Sequence, residues 1–264
     1  EQYAFYWKWF ILSIIITLGI AIVYLRYAQK SYSTTAKILL KDEKSASAGE
    51  LAGIAELSNS LGIGGTRAAF VTDQIEVLSS RRLMRKVVDQ NHLDIIYSLK
   101  GNIRSTELLE KDMPFILVPQ NNKDTTKISL QVSTKDRNQL QVTNLVSGKK
   151  IITGFDKVVN VGNSNVIFRR TEGRPTASDI NYLIDIIPKD WAIDFNLNNI
   201  VISPSKEMQS YIVNFSMVSN NRKKAELILN TLIDVYNADL TNDKLRTTRA
   251  TSDFINKRLM LISK

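Results

Sequence analysis

A run of apolar residues from Trp9 to Leu25 (WFILSIIITLGIAIVYL) dominates the start of the chain: 17 positions without a charge, bracketed by Lys8 and Arg26. As a helix it would span about 26 Å at ~1.5 Å per residue, slightly short of the ~30 Å hydrocarbon core of a bilayer. Trp7 and Trp9 at one end, with Tyr24 and Tyr27 at the other, stand where amphipathic rings favour the membrane interface. Lys8, Arg26 and Lys30 have the reach to place their charges among the headgroups. Trp7, Lys8, Trp9, Tyr24 and Arg26 are therefore the expected interface residues. A cleaved signal peptide would need a small-x-small exit, which LRYAQKSY lacks, and a soluble core helix rarely stays uncharged all round. Arg26, Lys30, Lys37, Lys41 and Lys44 follow the span against Lys8 before it, but the positive-inside count fails for long domains, so charge leaves the topology open.

Beyond the span the period changes. Tyr32, Thr34, Ala36, Ile38 and Leu40 alternate on one face of a half-buried strand. Residues 45–66 turn small and rich in Gly, Ala and Ser, with a short helix expected around Leu51–Leu57. The run GIGGTR (Gly62–Arg67) lacks the GK[ST] ending of a phosphate loop and reads as a connector. A helical pattern then starts at Thr72, with Asp73 as its cap and Ile75, Leu78, Leu83, Val87 and Val88 apolar. Between Met113 and Arg170, strand-like runs (PFILV, KISLQV, QLQVTNL, KKIITGF, NVIFRR) alternate with NNKD, SGK and VGNSN, as in a β-meander. Tyr182–Ile187 adds a strand, and Pro188 opens a short helix through Trp191, Ala192 and Phe195. Strands follow at Ile200–Ser203 and Tyr211–Met217, the latter with Tyr211, Val213, Phe215 and Met217 on one face.

Asn220 or Asn221 caps a last helix that meets no proline or glycine before Lys264 and would reach roughly 65 Å. The expected architecture is α+β: a flank at 1–8, a membrane helix at 9–25, a domain at 31–221 with a β-rich insert at 113–170, and a long helical arm at 222–264. Leu227, Ile228, Leu229, Leu232, Ile233, Val235, Tyr236 and Leu240 cover more than one stripe of that arm, so one stripe should pack on the domain and another on a second copy of the chain. Phe254, Ile255, Arg258 and Leu259 are further candidates for subunit contact.

Composition narrows the chemistry. The 264 residues carry a net charge of +9, with basic and acidic residues interspersed. The densest cluster, Arg81, Arg82, Arg85 and Lys86, reads as a solvated helix face and not a nucleic-acid patch. There is no cysteine, which excludes disulfides and thiol chemistry. His92 is the single histidine and has no nucleophile motif beside it. Asp42–Glu43 and Glu107, Glu110 and Asp112 lie in lysine-rich stretches as surface charge. Trp191 and Phe195, at i and i+4, have the spacing to stack a sugar ring but more ordinarily pack a helix onto a sheet. No catalytic, cofactor-binding or metal-ligating residue is expected in this chain.

Three phrases carry a resemblance. Tyr32, Ala36 and Ile38 follow the anchor at once in a Y-x-x-x-A-x-I strand; Ile75, Leu78, Ser80, Val87, Val88 and Leu93 form an I-x-x-L-x-S…V-V…L helix; and Ala225, Leu229, Asn230, Leu232 and Tyr236 form A-x-x-(I/L)-x-N-x-L-x-x-x-Y. In this order they resemble the chain-length-determinant (Wzz-type) family of polysaccharide co-polymerases, and the insert resembles its larger exopolysaccharide and capsule members, which precede a cytoplasmic tyrosine autokinase. The resemblance implies an inner-membrane protein with its bulk in the periplasm, a homo-oligomeric ring, and partners comprising a polysaccharide polymerase, an outer-membrane export protein, the growing polysaccharide and membrane lipid, with no nucleic acid. The chain begins at Glu1 without a methionine and stops at Lys264 inside a helical pattern, so both ends are expected to be cuts through a longer protein. The contrasting reading is a single-span sensor with an extracytoplasmic ligand-binding domain.

Overall fold

The computed structural model describes residues 6–28, 30–40, 65–101, 104–120, 126–136, 138–162, 164–174, 180–206 and 210–262. The short helix expected at Leu51–Leu57 and the first part of GIGGTR, Gly62–Gly64, lie outside them, as do Asp42 and Glu43.

Helix α1, Trp7–Tyr27, buries none of its residues in the rest of the chain, in keeping with an apolar surface meant for lipid. It leads into strand β1, Tyr32–Leu39, in which Thr34, Ala36 and Ile38 face inward and Ser33, Thr35, Lys37 and Leu39 outward. Next come helix α2, Gly65–Leu78, and helix α3, Arg81–Asn91. Two expectations change here. Gly65–Arg67 are helical, and Asp73 lies in the middle of α2 and caps nothing. The helix extends upstream because Val71 is buried and Phe70 packs edge-on against Tyr211, 6.2 Å between ring centroids. The helical pattern also breaks at Ser79–Ser80, where Ser80 turns extended and accepts the Leu83 N–H at 3.4 Å, capping α3.

His92 ends α3 in the left-handed conformation, and the Leu93 N–H returns to the Val88 carbonyl at 3.1 Å, which terminates the helix sharply. That stop launches strand β2, Ile95–Leu99, which sequence patterning missed because only three residues separate it from the helix. The remaining elements are β3 (Thr106–Leu108), a 3-10 turn at Glu110–Asp112, β4 (Phe115–Pro119), β5 (Ile128–Asp136), β6 (Gln139–Asn144), β7 (Lys150–Gly154), β8 (Val158–Asn160), β9 (Asn165–Arg170), β10 (Asn181–Ile186), α4 (Lys189–Asn198), β11 (Ile200–Pro204), β12 (Ile212–Ser219) and α5 (Arg222–Ile262).

The β-rich stretch is not one meander. β5, β6 and β7 do pair in series, but they join a six-stranded sheet of order β3-β2-β10-β5-β6-β7, while β4 leaves it to form a second sheet, β4-β9-β8. The inward faces of the two sheets make one core. Phe115 lies at its centre, edge-on to Phe168 at 5.9 Å and to Tyr182 at 5.5 Å, geometries that aromatic quadrupoles favour. The buried Tyr97 hydroxyl accepts the Leu117 N–H at 3.1 Å, tying β2 to β4, and burial pushes its pKa up.

A second core forms under the three-stranded antiparallel sheet β1-β12-β11, covered by α2, α3, α4 and the first half of α5. Val213, Phe215 and Met217 point into it from β12, and Ala225, Ile228, Leu229, Leu232, Val235 and Tyr236 from α5. α5 runs 41 residues, roughly 61 Å, and its contact with this core ends at Asp239. From Leu240 to Ile262 every residue is exposed.

Candidate functional site

Three places in this architecture carry polar groups under constraint: the faces of α3, the seam between the two cores, and the exit of the membrane helix.

On α3 the cluster Arg81, Arg82, Arg85 and Lys86 was expected to be solvated. All four side chains are exposed, as expected, and the same face also clasps the helical layer through ion pairs. Arg81 is paired with both Asp190 and Asp194, Arg85 with Asp190 at 3.2 Å, and Lys189 with Asp89 at 2.7 Å, joining α3 to α4. On the other side Arg82 donates two hydrogen bonds to Asp239, at 2.9 and 2.6 Å, and Lys86 a third at 2.6 Å. The partners lie a hundred residues or more away, so no local pattern shows them. The α3–α4 pairs are half exposed and individually contribute little. Asp239 differs, because its side chain is 11% exposed and stands where α5 leaves the core.

Hydrogen bonds from Arg82 first, then Lys86, hold the Asp239 carboxyl at about 2, below its ordinary 3.8. Because the folded value is depressed, the stabilisation is complete above the unfolded value and disappears as pH falls through the folded one. A shift of that size corresponds to about 2.5 kcal/mol, which solvent screening at the half-exposed Arg82 and Lys86 reduces to about 1–2 kcal/mol. Asp239→Asn is accordingly expected to cost that amount at pH 7 in urea unfolding, with the difference from wild type fading between pH 4 and pH 2. A difference that stays constant across that window would assign the loss to something other than the carboxylate charge.

The seam between the cores holds a cavity of about 450 Å³ lined by the end of α3, β2, β3, the 3-10 turn and the start of α5. Ile95, Ile96, Leu108, Leu109, Ile116 and Leu227 make it largely apolar. Its polar rim contains Lys224, 9% exposed, whose ammonium is hydrogen-bonded to Glu107, and His92, whose Nδ1 lies 3.1 Å from Glu110 Oε2. Thr171 also lines the cavity, and its buried hydroxyl has no hydrogen-bond partner among the described residues. Glu107, Glu110 and Asp112 thus pair separately with Lys224, His92 and Arg174. Among the described residues, no three His, Asp or Glu side chains converge as metal ligands would.

The resemblance residues divide by role. Ala36 is half-buried on β1 and Tyr32 exposed at its start; Ile75 is half-buried, Leu78 and Val88 are fully buried, and Ser80 is the α3 cap. Ala225 and Leu232 fill the helical core, and Tyr236, also buried there, donates its hydroxyl to Gln74 at 2.7 Å. Asn230 is exposed. Trp191 and Phe195 do not pack α4 onto a sheet: they are 57% and 59% exposed, while Ala192 and Ile193 turn inward instead. The second apolar stripe expected on the first half of α5 is also absorbed, with Leu227 and Ile233 half-buried. Phe254, Ile255, Arg258 and Leu259 are exposed on the free part of the helix, and Trp7, Lys8, Trp9, Tyr24 and Arg26 are exposed on α1.

An apolar helix bare of protein contacts, joined to a two-core α+β body with a projecting helix, defines a membrane-anchored protein. Residues 6–91 match the family model of the chain length determinant protein, Wzz, so over about the first third of its length the chain is similar to that family. The match takes in α1, β1, α2 and α3 and leaves the phrase at 225–236 outside it. No curated protein matches the chain closely enough to serve as a relative.

Proposed function

We propose that the protein is an inner-membrane polysaccharide co-polymerase that sets the length of a capsular or exopolysaccharide and assists its export. In this reading the two-core body stands in the periplasm and copies of the chain assemble beside a polysaccharide polymerase and an outer-membrane export protein. The observation that carries the reading is the position, within the fold, of the segment similar to the chain length determinant family. Its strand β1 is paired along all eight residues with β12, the strand that feeds α5, so the matched segment and the projecting helix form one mechanical unit with the anchor. A regulator of length makes no bond itself; it holds a polymerising partner and a growing chain at a defined distance from the bilayer. A rigid body on a membrane helix, with an arm of exposed side chains, suits that task.

Deleting the gene in its host and complementing it is the direct test. The polymer should lose its preferred length on deletion, giving a broad or short size distribution on gels, and regain it with the wild-type chain. An unchanged size distribution after deletion would remove the polysaccharide reading.

A further inference from the structure

Where the chain leaves the membrane, the body of the protein folds back to meet it. Arg104, in the turn before β3, donates from Nη1 to the Ala28 carbonyl at 2.8 Å, just past the last turn of α1. Gly101 makes this approach possible: any side chain there would collide with the Arg104 carbonyl. Beside Arg104 is a cavity of about 340 Å³, lined also by Lys30, Ser98, Ser105 and Thr106, with Tyr32 and Ile96 supplying apolar wall. One carboxylate, Glu107, reaches its edge, but it is already paired with Lys224. Among the described residues no carboxylate pairs with Lys30 or Arg104. The cavity therefore presents two uncompensated cations together with hydroxyl donors.

Its depth is fixed by the anchor. A bilayer adds roughly 5–8 Å of headgroup layer on each side of its hydrocarbon core. Leu25 is the last apolar residue of the span, and Ala28 stands about 4.5 Å further along the axis at ~1.5 Å per residue. The Arg104 guanidinium, in contact with Ala28, is thus at the level of the lipid phosphates. One of its nitrogens holds the helix end, where the carbonyl dipole favours a cation. The others keep the planar fork suited to a phosphate, and Lys30 adds a point charge.

From this geometry we infer that the cavity formed by Lys30, Arg104, Ser105 and Thr106 binds the phosphate of a lipid headgroup, so that a bound lipid seats the body against the membrane surface. The inference rests on the span and not on the polysaccharide reading, so the two fail independently.

The test uses the full chain in neutral detergent, delipidated, with lipid adducts read by native mass spectrometry. The probes are phosphatidylglycerol, diacylglycerol, which lacks the phosphate, and glycerol 3-phosphate, which lacks the chains. Phosphatidylglycerol should be retained, diacylglycerol should not, and a hundredfold excess of glycerol 3-phosphate should leave the lipid bound. Loss of charge-assisted hydrogen bonds should weaken lipid retention roughly tenfold or more in the double variant Lys30→Gln, Arg104→Gln. Lys30→Gln alone, at a side chain with no hydrogen bond to the described residues, should weaken it severalfold without changing the melting temperature. The control pair Lys149→Gln, Lys150→Gln removes the same charge from the β6–β7 turn and should have no effect. Equal retention by the double variant, or equal loss in the control, would overturn the site. Displacement by glycerol 3-phosphate at matched concentration would overturn the lipid as the source of the phosphate.

Discussion

Lys224→Met is expected to lower the stability of the soluble body by about 3–5 kcal/mol, because it strands a carboxylate that is already largely withdrawn from water. Lys224 stands in the first turn of α5 with its side chain 11% exposed, and its partner Glu107 on β3 is 21% exposed. The pair crosses the seam between the two cores. Asn221 reinforces the same joint, donating its side-chain amide to the Glu107 carbonyl at 3.0 Å. Removing the ammonium leaves the Glu107 carboxylate beside Ile96 and Leu108 without its salt-bridge partner, whereas removing both groups leaves an apolar seam. The double variant Lys224→Met, Glu107→Leu should therefore recover most of the loss. Thermal unfolding of the full chain in nanodiscs would read the single change as a fall of roughly 6–20 °C for a body of this size. A single-variant loss below about 1 kcal/mol would show that water, and not Lys224, solvates Glu107.

The free part of α5 carries the second large effect. On the proposed assembly of copies, replacing Phe254, Ile255 and Leu259 together by serine should give smaller species in light scattering, with the melting temperature unchanged within about 1 °C. The reason for separating the two readouts is that Leu240–Ile262 touch no core, so the substitutions remove no intramolecular packing. An isolated helix is marginal in water, and Phe254, Ile255, Leu259 and Ile262 recur at helical spacing along it, exposed by half or more. A neighbouring copy is the simplest cover for such a stripe, and tethering in one bilayer raises the effective concentration enough for modest contacts to hold. Cutting the chain before Asn220 would not test this, because it also removes Ala225, Ile228, Leu229 and Leu232 from the core and unfolds the body. A cut after Leu240 leaves the core intact. A size unchanged by either that cut or the triple substitution would remove this stripe as a contact between copies, and a monomer in the unaltered protein would remove the proposed assembly.

What the sequence determined by itself were the features written in local periodicity. An uncharged run bracketed by Lys8 and Arg26 fixes α1; alternation at Thr34, Ala36 and Ile38, and at Val213, Phe215 and Met217, fixes β1 and β12; the absence of glycine and proline after Asn221 fixes the long α5. Each is a pattern that a helix or strand imposes on its own residues. The start of α2 and the existence of β2 were illegible for the complementary reason. Phe70 becomes helical through its contact with Tyr211, and β2 is set by a helix stop at His92 that carries no glycine to announce it.

Tertiary structure alone decided which elements meet. Nothing in the run from β4 to β7 says that β4 will join β9 while β5 joins β10, since sheet pairing is settled by closing a core between two layers and not by strand period. The same holds for charge. The exposed face of Arg82 and Lys86 gives no sign in sequence of Asp239, which arrives from α5, and nothing local marks Arg104 as the residue that meets the end of the membrane helix. Hydrophobic burial sums over many residues and leaves a periodic trace in the chain; an ion pair or a polar cavity depends on a few groups distant in sequence meeting at one place, and a local pattern has no means of recording that.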